Sequence, residues 1–533
     1  MMRPRFVLVC YPAAMSTTGR FFGPFGKRCD SLDAVTAFLH LLPLTLVIGC
    51  VQPSIHNRVV DAGSSRSIEQ TAPTWVEEFV SSENPVDGAR PHVLLISLDT
   101  LRADHLGAWG YDRPTSPFLD ELARFGVRFD RAFSHSPTTA PSHMSVFTGA
   151  FPSDHGAHID YTTTPPTAYP VRRNLVTLPE IMKISGYRTA AWTGGGQVTR
   201  KAGFARGFDH FMENLGQLSL ERMQMIRSWF QQNSDTPCFL FLHTYQIHDP
   251  YLPPPPYDTL FISPDYRGWV IGDREKIRQA AGATDHTSMA SMFWRTSRTK
   301  PDPGIVKPDD RQHLIDLYDG SIRYSDDVLR GFFETLRDDG LLANTLVIVF
   351  SDHGEEFLEH SGLLHEKLYQ ETLRVPLIFF WAGHVPRGIT VEAQVPLMDL
   401  TPTLYQLVGI ENPAQSNAQS LLPLFDGAER LDSRPVYSEA PWVHRKADQR
   451  SIRNITHMLY DHGRGHLELY RTEIDPLEVD DQSAIVPLLA SALQREMVAY
   501  LETRNAVPDG PPETARELTD DEIEALRALG YVQ

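Results

Sequence analysis

The chain has 533 residues, of which 41% are hydrophobic and 22% charged, enough apolar material for one large packed domain plus a smaller one. A formal net charge of −18 argues against a nucleic-acid backbone as partner, yet leaves an anionic substrate open, because a bound cation inverts the local field. Four cysteines, Cys10, Cys29, Cys50 and Cys238, make neither a disulfide framework nor a clustered zinc site.

Residues 1–50 read as a targeting segment. Arg20, Lys27 and Arg28 form a basic region, and Ala34 to Ile48 is apolar but too short, with His40 and Pro43 inside it, to span a membrane. The ending Leu46-Val47-Ile48-Gly49-Cys50 resembles the lipobox of bacterial lipoproteins, in which the cysteine is lipidated and becomes the first residue. That resemblance implies a membrane anchor at Cys50 and a location in the cell envelope on the periplasmic face of a membrane, and, because the signal would be unusually long from Met1, a start at Met15. Residues 51–90 are polar without a sustained period and read as a flexible tether.

From residue 91 the pattern changes. Val93 to Leu98 is a nearly continuous apolar run, the signature of a buried strand, and it delivers Asp99 at its C-terminal end. In open α/β sheets ligands bind beyond that end, so Asp99 is a candidate metal ligand or base. Pro117 to Phe125 has helical spacing, and Val127 to Phe133 reads as a strand. It leads into Thr139-Ala140-Pro141-Ser142-His143. Proline suits a first helical position, so Thr139 is expected at or just before a helix N-terminus, where amide groups favour negative charge.

Leu178 to Ser185 predicts a helix and Tyr187 to Trp192 a strand, followed by a loop, Gly194-Gly195-Gly196, without phosphate-loop spacing. Cys238 to Leu242 is a second apolar strand that runs into His243 and then His248-Asp249-Pro250-Tyr251. Pro253 to Pro256 cannot pair into a sheet and marks a surface loop, and 257–308 reads as an irregular insertion. Leu314 to Leu336 is the clearest helix, with Asp326 and Asp327 expected on its solvent face. Leu346 to Phe350 is a third strand, ending in Ser351-Asp352-His353-Gly354, and Val375 to Trp381 a fourth.

Two carboxylates and an imidazole at strand ends suit one divalent cation: oxygen ligands favour Ca²⁺, Mg²⁺ or Mn²⁺, and the histidine leans toward Mn²⁺ or Zn²⁺. A cation held by Asp99, Asp352 and His353 and touching the Thr139 hydroxyl would make that hydroxyl a nucleophile. His143, one helical turn from Thr139, is a candidate for contacting the substrate or holding the threonine.

These pieces resemble the sulfatase family of the alkaline phosphatase superfamily. The resemblance rests on Leu95 to Asp104, Ala140-Pro141-Ser142 with Phe147-Thr148-Gly149, His248 to Tyr251, Ser351 to Glu355, Arg374 to Leu377, Asp399 to Leu404, and Leu469-Tyr470 with Asp475 to Glu478, in family order. It implies an α/β fold, a large mixed sheet flanked by helices, with a smaller C-terminal domain carrying a four-stranded antiparallel sheet. Residues 91–430 would form the catalytic domain and 431–533 the C-terminal subdomain. It also implies roles: Asp99, Asp352, His353 and Thr139 around the metal; Thr139, His248 and His365 in catalysis; and Lys367 on the substrate, rivalling His365. The ending Leu518 to Val532 resembles the tail of a lipoprotein-like subgroup, with Thr519 and Glu522 as a capping box and Gly530 as the stop.

The departures set the chemistry. Threonine cannot be oxidised to the formylglycine of sulfatases, His143 stands where their maturation signal has arginine, and glycines 194 and 196 replace their sulfate-gripping Lys-x-His. A threonine nucleophile and an Asp-His pair resemble relatives that act on phosphorus. The expected function is metal-dependent hydrolysis of a sulfate, phosphate or phosphonate ester of a small molecule, glycan or lipid through a covalent Thr139 intermediate. The alternatives are an envelope phospho-group transferase and an inactive metal-binding protein.

Overall fold

Alternation along the buried strands decides the layers. In the computed structural model, which describes residues 74–82, 90–268, 270, 307–413, 416–427, 434–440, 449–503 and 514–529, strand β1 (His92–Leu98) sends Leu94, Ile96 and Leu98 into one apolar layer and Val93 and Leu95 into the other. A strand buried on both faces is mostly apolar, which is why the run is nearly continuous, with Ser97 its one interruption. The expected signal segment with Cys50, most of the expected tether, residues 271–306 and Gly530 lie outside the described residues.

The first layer is built by helices α1 (Trp75–Ser82), α2 (Pro117–Phe125), α5 (Leu220–Asn233) and the 31-residue α6 (Pro308–Asp338). The second holds α3 (Thr139–Thr148), α4 (Leu178–Ile184) and α7 (Leu400–Leu407). Between them lies a nine-stranded mixed sheet. Its centre is parallel: β8 (Thr345–Phe350), β1, β7 (Cys238–Thr244), β5 (Arg188–Trp192) and β6 (His210–Met212), in that order. β10 (Leu377–Phe380) runs antiparallel to β8 and to β2 (Val127–Phe133), β9 (Arg374–Val375) continues that pairing, and β11 (Ile389–Pro396) closes on β2 in parallel. Beyond it, β12 (Val436–Ala440), β13 (Gln449–Arg453), β14 (Met458–Asp461) and β15 (Leu467–Tyr470) form a four-stranded antiparallel sheet, covered by α8 (Pro487–Thr503).

Three elements differ from the sequence reading. The tether expected over 51–90 contains α1, whose Val76, Phe79 and Val80 are buried and whose Trp75 stacks on Phe118 at 5.9 Å. Eight residues are too few for a sustained period to register, so only the packing shows it. Asp326 does not face solvent: it is 1% exposed, and its carboxylate accepts the Phe118 and Leu119 amide protons at 2.9 and 2.8 Å, closing the open N-terminus of α2. At α3 the N-cap is Thr138; Thr139 is the first helical residue and Pro141 the third.

The tail also finds a partner. Strand β16 (Arg516–Glu517) pairs with β4 (Thr167–Tyr169), which pairs with β3 (His158–Asp160), and helix α9 (Asp520–Ala528) follows with the expected Thr519–Glu522 capping box.

Candidate active site

Parallel register assembles the site. β8, β1 and β7 are neighbours, with Ser97 opposite both Phe350 and His243, so Asp99, Asp352-His353 and His243 emerge together at the carboxyl edge of the sheet. Helix α3 begins over this edge. Its Ser142 hydroxyl donates to the Asp352 carbonyl at 2.6 Å, which fastens the Thr139 turn to the Asp352 loop.

Asp99, Thr139, Asp352 and His353 are all fully buried. The side-chain hydroxyl of Thr139 stands 3.3 Å from His353 Nε2, which in turn lies 3.3 Å from Asp352 Oδ2 and 3.9 Å from Asp99 Oδ1. His353 Nδ1 donates to the Gly354 carbonyl at 3.0 Å, which puts the proton there and turns the Nε2 lone pair toward the two carboxylates. Asp99 Oδ1 and both oxygens of Asp352 are buried without a hydrogen-bond partner. Burial raises both carboxyl groups well above the usual range, and for Asp352 the Asp99 charge adds to it. Orphaned, mutually repelling carboxylate oxygens beside an imidazole lone pair fit a hard or borderline divalent cation, which would satisfy them all.

Two groups among the described residues bring three such ligand atoms within 4.8 Å of one another. One is Asp99, Asp352 and His353. The other, His462, His466 and Glu468, sits on the β14–β15 hairpin, where the Glu468 carboxylate already accepts the Tyr369 and Tyr470 hydroxyls at 2.7 and 2.9 Å.

His143 lies inside the site rather than on its surface. Its Nδ1 donates to the Thr139 carbonyl at 2.8 Å, its Nε2 meets the Ser97 hydroxyl at 2.8 Å, and it is 0% exposed. Both ring nitrogens are engaged by protein, so the geometry is that of a group holding Thr139 against β1.

His248 and His365 come together although 117 residues separate them. Each Nδ1 donates to a carbonyl, of Asp249 at 2.6 Å and of Pro137 at 2.7 Å. Their Nε2 atoms therefore face each other at 3.2 Å as lone pairs, and burial lowers the two rings to about 3 and about 4, so both are neutral near pH 7. The His365 ring also lies 4.2 Å from that of His353. Lys367 is engaged elsewhere: its ammonium pairs with Glu356 at 3.0 Å and donates to the His360 carbonyl. Of the two rivals the structure brings His365, not Lys367, to the other histidines.

Sequence reasoning passed over three residues. His243 accepts the Gly194 amide proton on Nδ1 at 3.3 Å and donates from Nε2 to Asp99 Oδ2 at 2.9 Å, which orients that carboxylate. Tyr245 stands edge-on to His243 and His248, and its hydroxyl accepts the Gln197 amide proton at 3.1 Å. Gln197 in turn accepts the Ala140 amide proton at 3.1 Å, beside Thr139. The available signal was the polar run His243-Thr244-Tyr245 at a strand end. The triple glycine is explained by close approach: a Cβ on Gly194 would lie 2.6 Å from the Tyr245 ring.

Residues 91–410 match the family model described as Sulfatase, and 359–503 the model described as N-sulphoglucosamine sulphohydrolase, C-terminal. Arylsulfatase K of Bos taurus is 25% identical over 449 residues, covering 76% of this chain and 81% of its own. The Delta 4,5-hexuronate-2-O-sulfatase of Bacteroides thetaiotaomicron is 25% identical over 424 residues, covering 73% and 84%. Among solved structures, a protein in complex with its substrate D-glucosamine-2-N,6-O-disulfate superposes with a TM-score of 0.63 at 18% identity, over 79% of this chain and all of that one. The phosphonate monoester hydrolase of Agrobacterium radiobacter does so at 0.62 and 18%, over 78% and 96%.

Proposed function

Because this chain belongs to the sulfatase family, with the alkaline phosphatase-like fold, we propose that it hydrolyses sulfate esters, or the isosteric phosphonate and phosphate esters, with Thr139 as nucleophile. The observation that carries the reading is the buried convergence of Thr139 with Asp99, Asp352 and His353. Those three residues, with the Thr139 hydroxyl, would hold the divalent cation, which when bound supplies Lewis acidity toward the ester oxygens.

The remaining roles follow from the chain's own groups. His243 orients Asp99, and His143 and Ser142 lock the first turn of α3. The Thr139 oxygen bonds to sulfur or phosphorus as the bond to the alcohol oxygen breaks; the proton that the Thr139 hydroxyl gives up balances the one the departing alcohol takes, and the Nε2 atoms of His248 and His365 stand where they can relay it. Water then cleaves the Thr139 ester. Phosphorus is the second reading, and the observation favouring it is the threonine itself: a secondary alcohol at 139 offers no route to an aldehyde hydrate.

The proposal includes lipidation at Cys50 and residence in the cell envelope, where glycan or lipid esters would meet the enzyme. Its support is the sequence pattern at 46–50, and radiolabelled palmitate incorporated by the natural chain but not by Cys50→Ala is the expected result. No helix among the described residues is long and apolar enough to cross a membrane.

The catalytic test is a panel. Aryl sulfates, phosphomonoesters, phosphodiesters and phosphonates are assayed, each with Mn²⁺, Zn²⁺, Ca²⁺ or Mg²⁺. Turnover of at least one class is expected, reduced by about 10³-fold or more in a folded Thr139→Ala variant. Retained turnover in that variant removes Thr139 from the mechanism. Dependence on an added acceptor alcohol would point to transfer instead.

A further inference from the structure

Beside His248 lies an open pocket of about 400 Å³, and one of its walls is α9, the last described helix. His248 and Asp249 line one side; Asp521, Ala525 and Leu529, from α9 and its C-cap, line the other. Some 270 residues separate the two sides in sequence, and several contacts hold the helix in place. β16 pairs with β4, and Leu518 and Leu526 are buried with Ile159 and Ala168. The Lys201 ammonium reaches Glu522 at 2.6 Å and the Glu517 carbonyl at 3.0 Å. Leu529 comes so close to the glycine loop that a Cβ on Gly196 would lie 2.7 Å from its Cδ1.

The chemistry of the lining names the occupant. Among its described residues there is no lysine or arginine; Asp521 supplies a carboxylate, and Asn214, Gln217 and Gln246 supply neutral amides. Carboxylates and amides pair with hydroxyl and N–H groups and repel a second anion. Leu252, Ala525 and Leu529 offer apolar surface to a ring's C–H face. The volume is that of a pocket for a ligand of sugar size.

We propose that α9 is a substrate-recognition wall: it completes the compartment for the leaving alcohol, and that compartment takes an uncharged, hydroxyl-rich ring of the hexose or N-acetylhexosamine class carrying only the one ester group that reacts. The proposal rests on the ester-hydrolase reading of the site. It makes the C-terminal helix a determinant of specificity against multiply charged sugars.

The test uses the full chain, with N-acetylglucosamine 6-sulfate, glucosamine-N,6-O-disulfate and an aryl sulfate as probes, or their phosphate counterparts where the panel favours phosphorus. The natural chain should prefer the singly charged sugar over the doubly charged one by about tenfold or more in kcat/KM. Ala525→Trp, which fills the cavity from α9, should lower kcat/KM for the sugar ester by about tenfold, chiefly through KM. Asp521→Lys should narrow the preference by about fivefold, a ratio that partial misfolding cannot produce. A natural preference for the disulfate overturns the proposal, as do ratios that neither variant moves. If the aryl ester too is untouched, the hydrolase reading itself has failed. Calorimetric binding of N-acetylglucosamine and its 6-sulfate then decides the wall alone: affinity weakened by Ala525→Trp supports it, and affinity that is absent or unchanged overturns it.

Discussion

At Asp352 both burial and the neighbouring Asp99 charge disfavour the ionised form. Two carboxylates, Asp99 and Asp352, are fully buried together, and neither has a cationic side chain as hydrogen-bond partner. In metal-free protein Asp352→Asn should therefore be stabilising, by about 1–3 kcal/mol, because it removes one of two charges that burial and repulsion disfavour. Added Mn²⁺ should raise the melting temperature of the natural chain and leave that of the variant unchanged, since only a native state that binds the ion gains from it. Thermal melts with and without chelator measure both effects. His360 makes the opposite case. Its Nδ1 faces Glu371 at 2.6 Å and its Nε2 the Glu478 carbonyl at 2.9 Å, so both nitrogens find acceptors and the cation is favoured. Burial works against the charge, but the Glu371 hydrogen bond and charge outweigh it and raise the ring to about 9. A folded value above the unfolded one means stabilisation that is complete below about pH 6.5 and lost as pH rises through about 9. The cost of His360→Ala should thus be larger at pH 6 than at pH 9.5, by on the order of 2 kcal/mol, read from denaturant midpoints at the two pH values.

At the scale of elements, the two long-range caps matter most. The first turn of α3 is held from outside: Ser142 ties it to the Asp352 loop, Gln197 takes the Ala140 amide proton, and His143 returns to the Thr139 carbonyl. The N-terminus of α2 is held by Asp326 from the middle of α6. A carboxylate at a helix N-terminus satisfies orphan amides and opposes the dipole, which accounts for a buried acid with no basic partner. Asp326→Ala should strand the Phe118 and Leu119 amides and cost about 2–4 kcal/mol in chemical denaturation. Asp326→Asn should recover part of that loss, because its amide oxygen still accepts a hydrogen bond.

For the whole molecule, the consequence lies at the start of the folded region. α1 buries Val76, Phe79 and Val80 in the same apolar layer as α2 and α6, so it belongs to the core and not to a spacer. A chain beginning at residue 74 should melt with the natural protein. One beginning at residue 90 should lose roughly 3–6 kcal/mol, the apolar transfer energy of those side chains. At the other end, β16 and α9 return to the β3–β4 hairpin and the glycine loop, so the two distant parts of the sequence that shape the pocket meet only in the folded state.

How much was legible from the residues alone follows from what each signal encodes. An apolar run with an acid at its end records a strand buried on both faces and the atom it delivers, so β1 with Asp99 and β8 with Asp352-His353 could be read locally. Helical spacing located α2, α4 and α6, and a hydroxyl followed by Glu three residues on foretold the cap of α9. None of these patterns names a partner. That His243 would orient Asp99 depended on the register of β1 with β7; that His365 rather than Lys367 would meet His248 depended on the Pro137 and Glu356 contacts. The burial of Asp326, the docking of α1 and the use of the last helix as a pocket wall were likewise settled by packing between residues far apart in the chain. Local sequence determines which backbone hydrogen bonds and which face an element offers; only the closing of the two apolar layers over the sheet decides what that face meets.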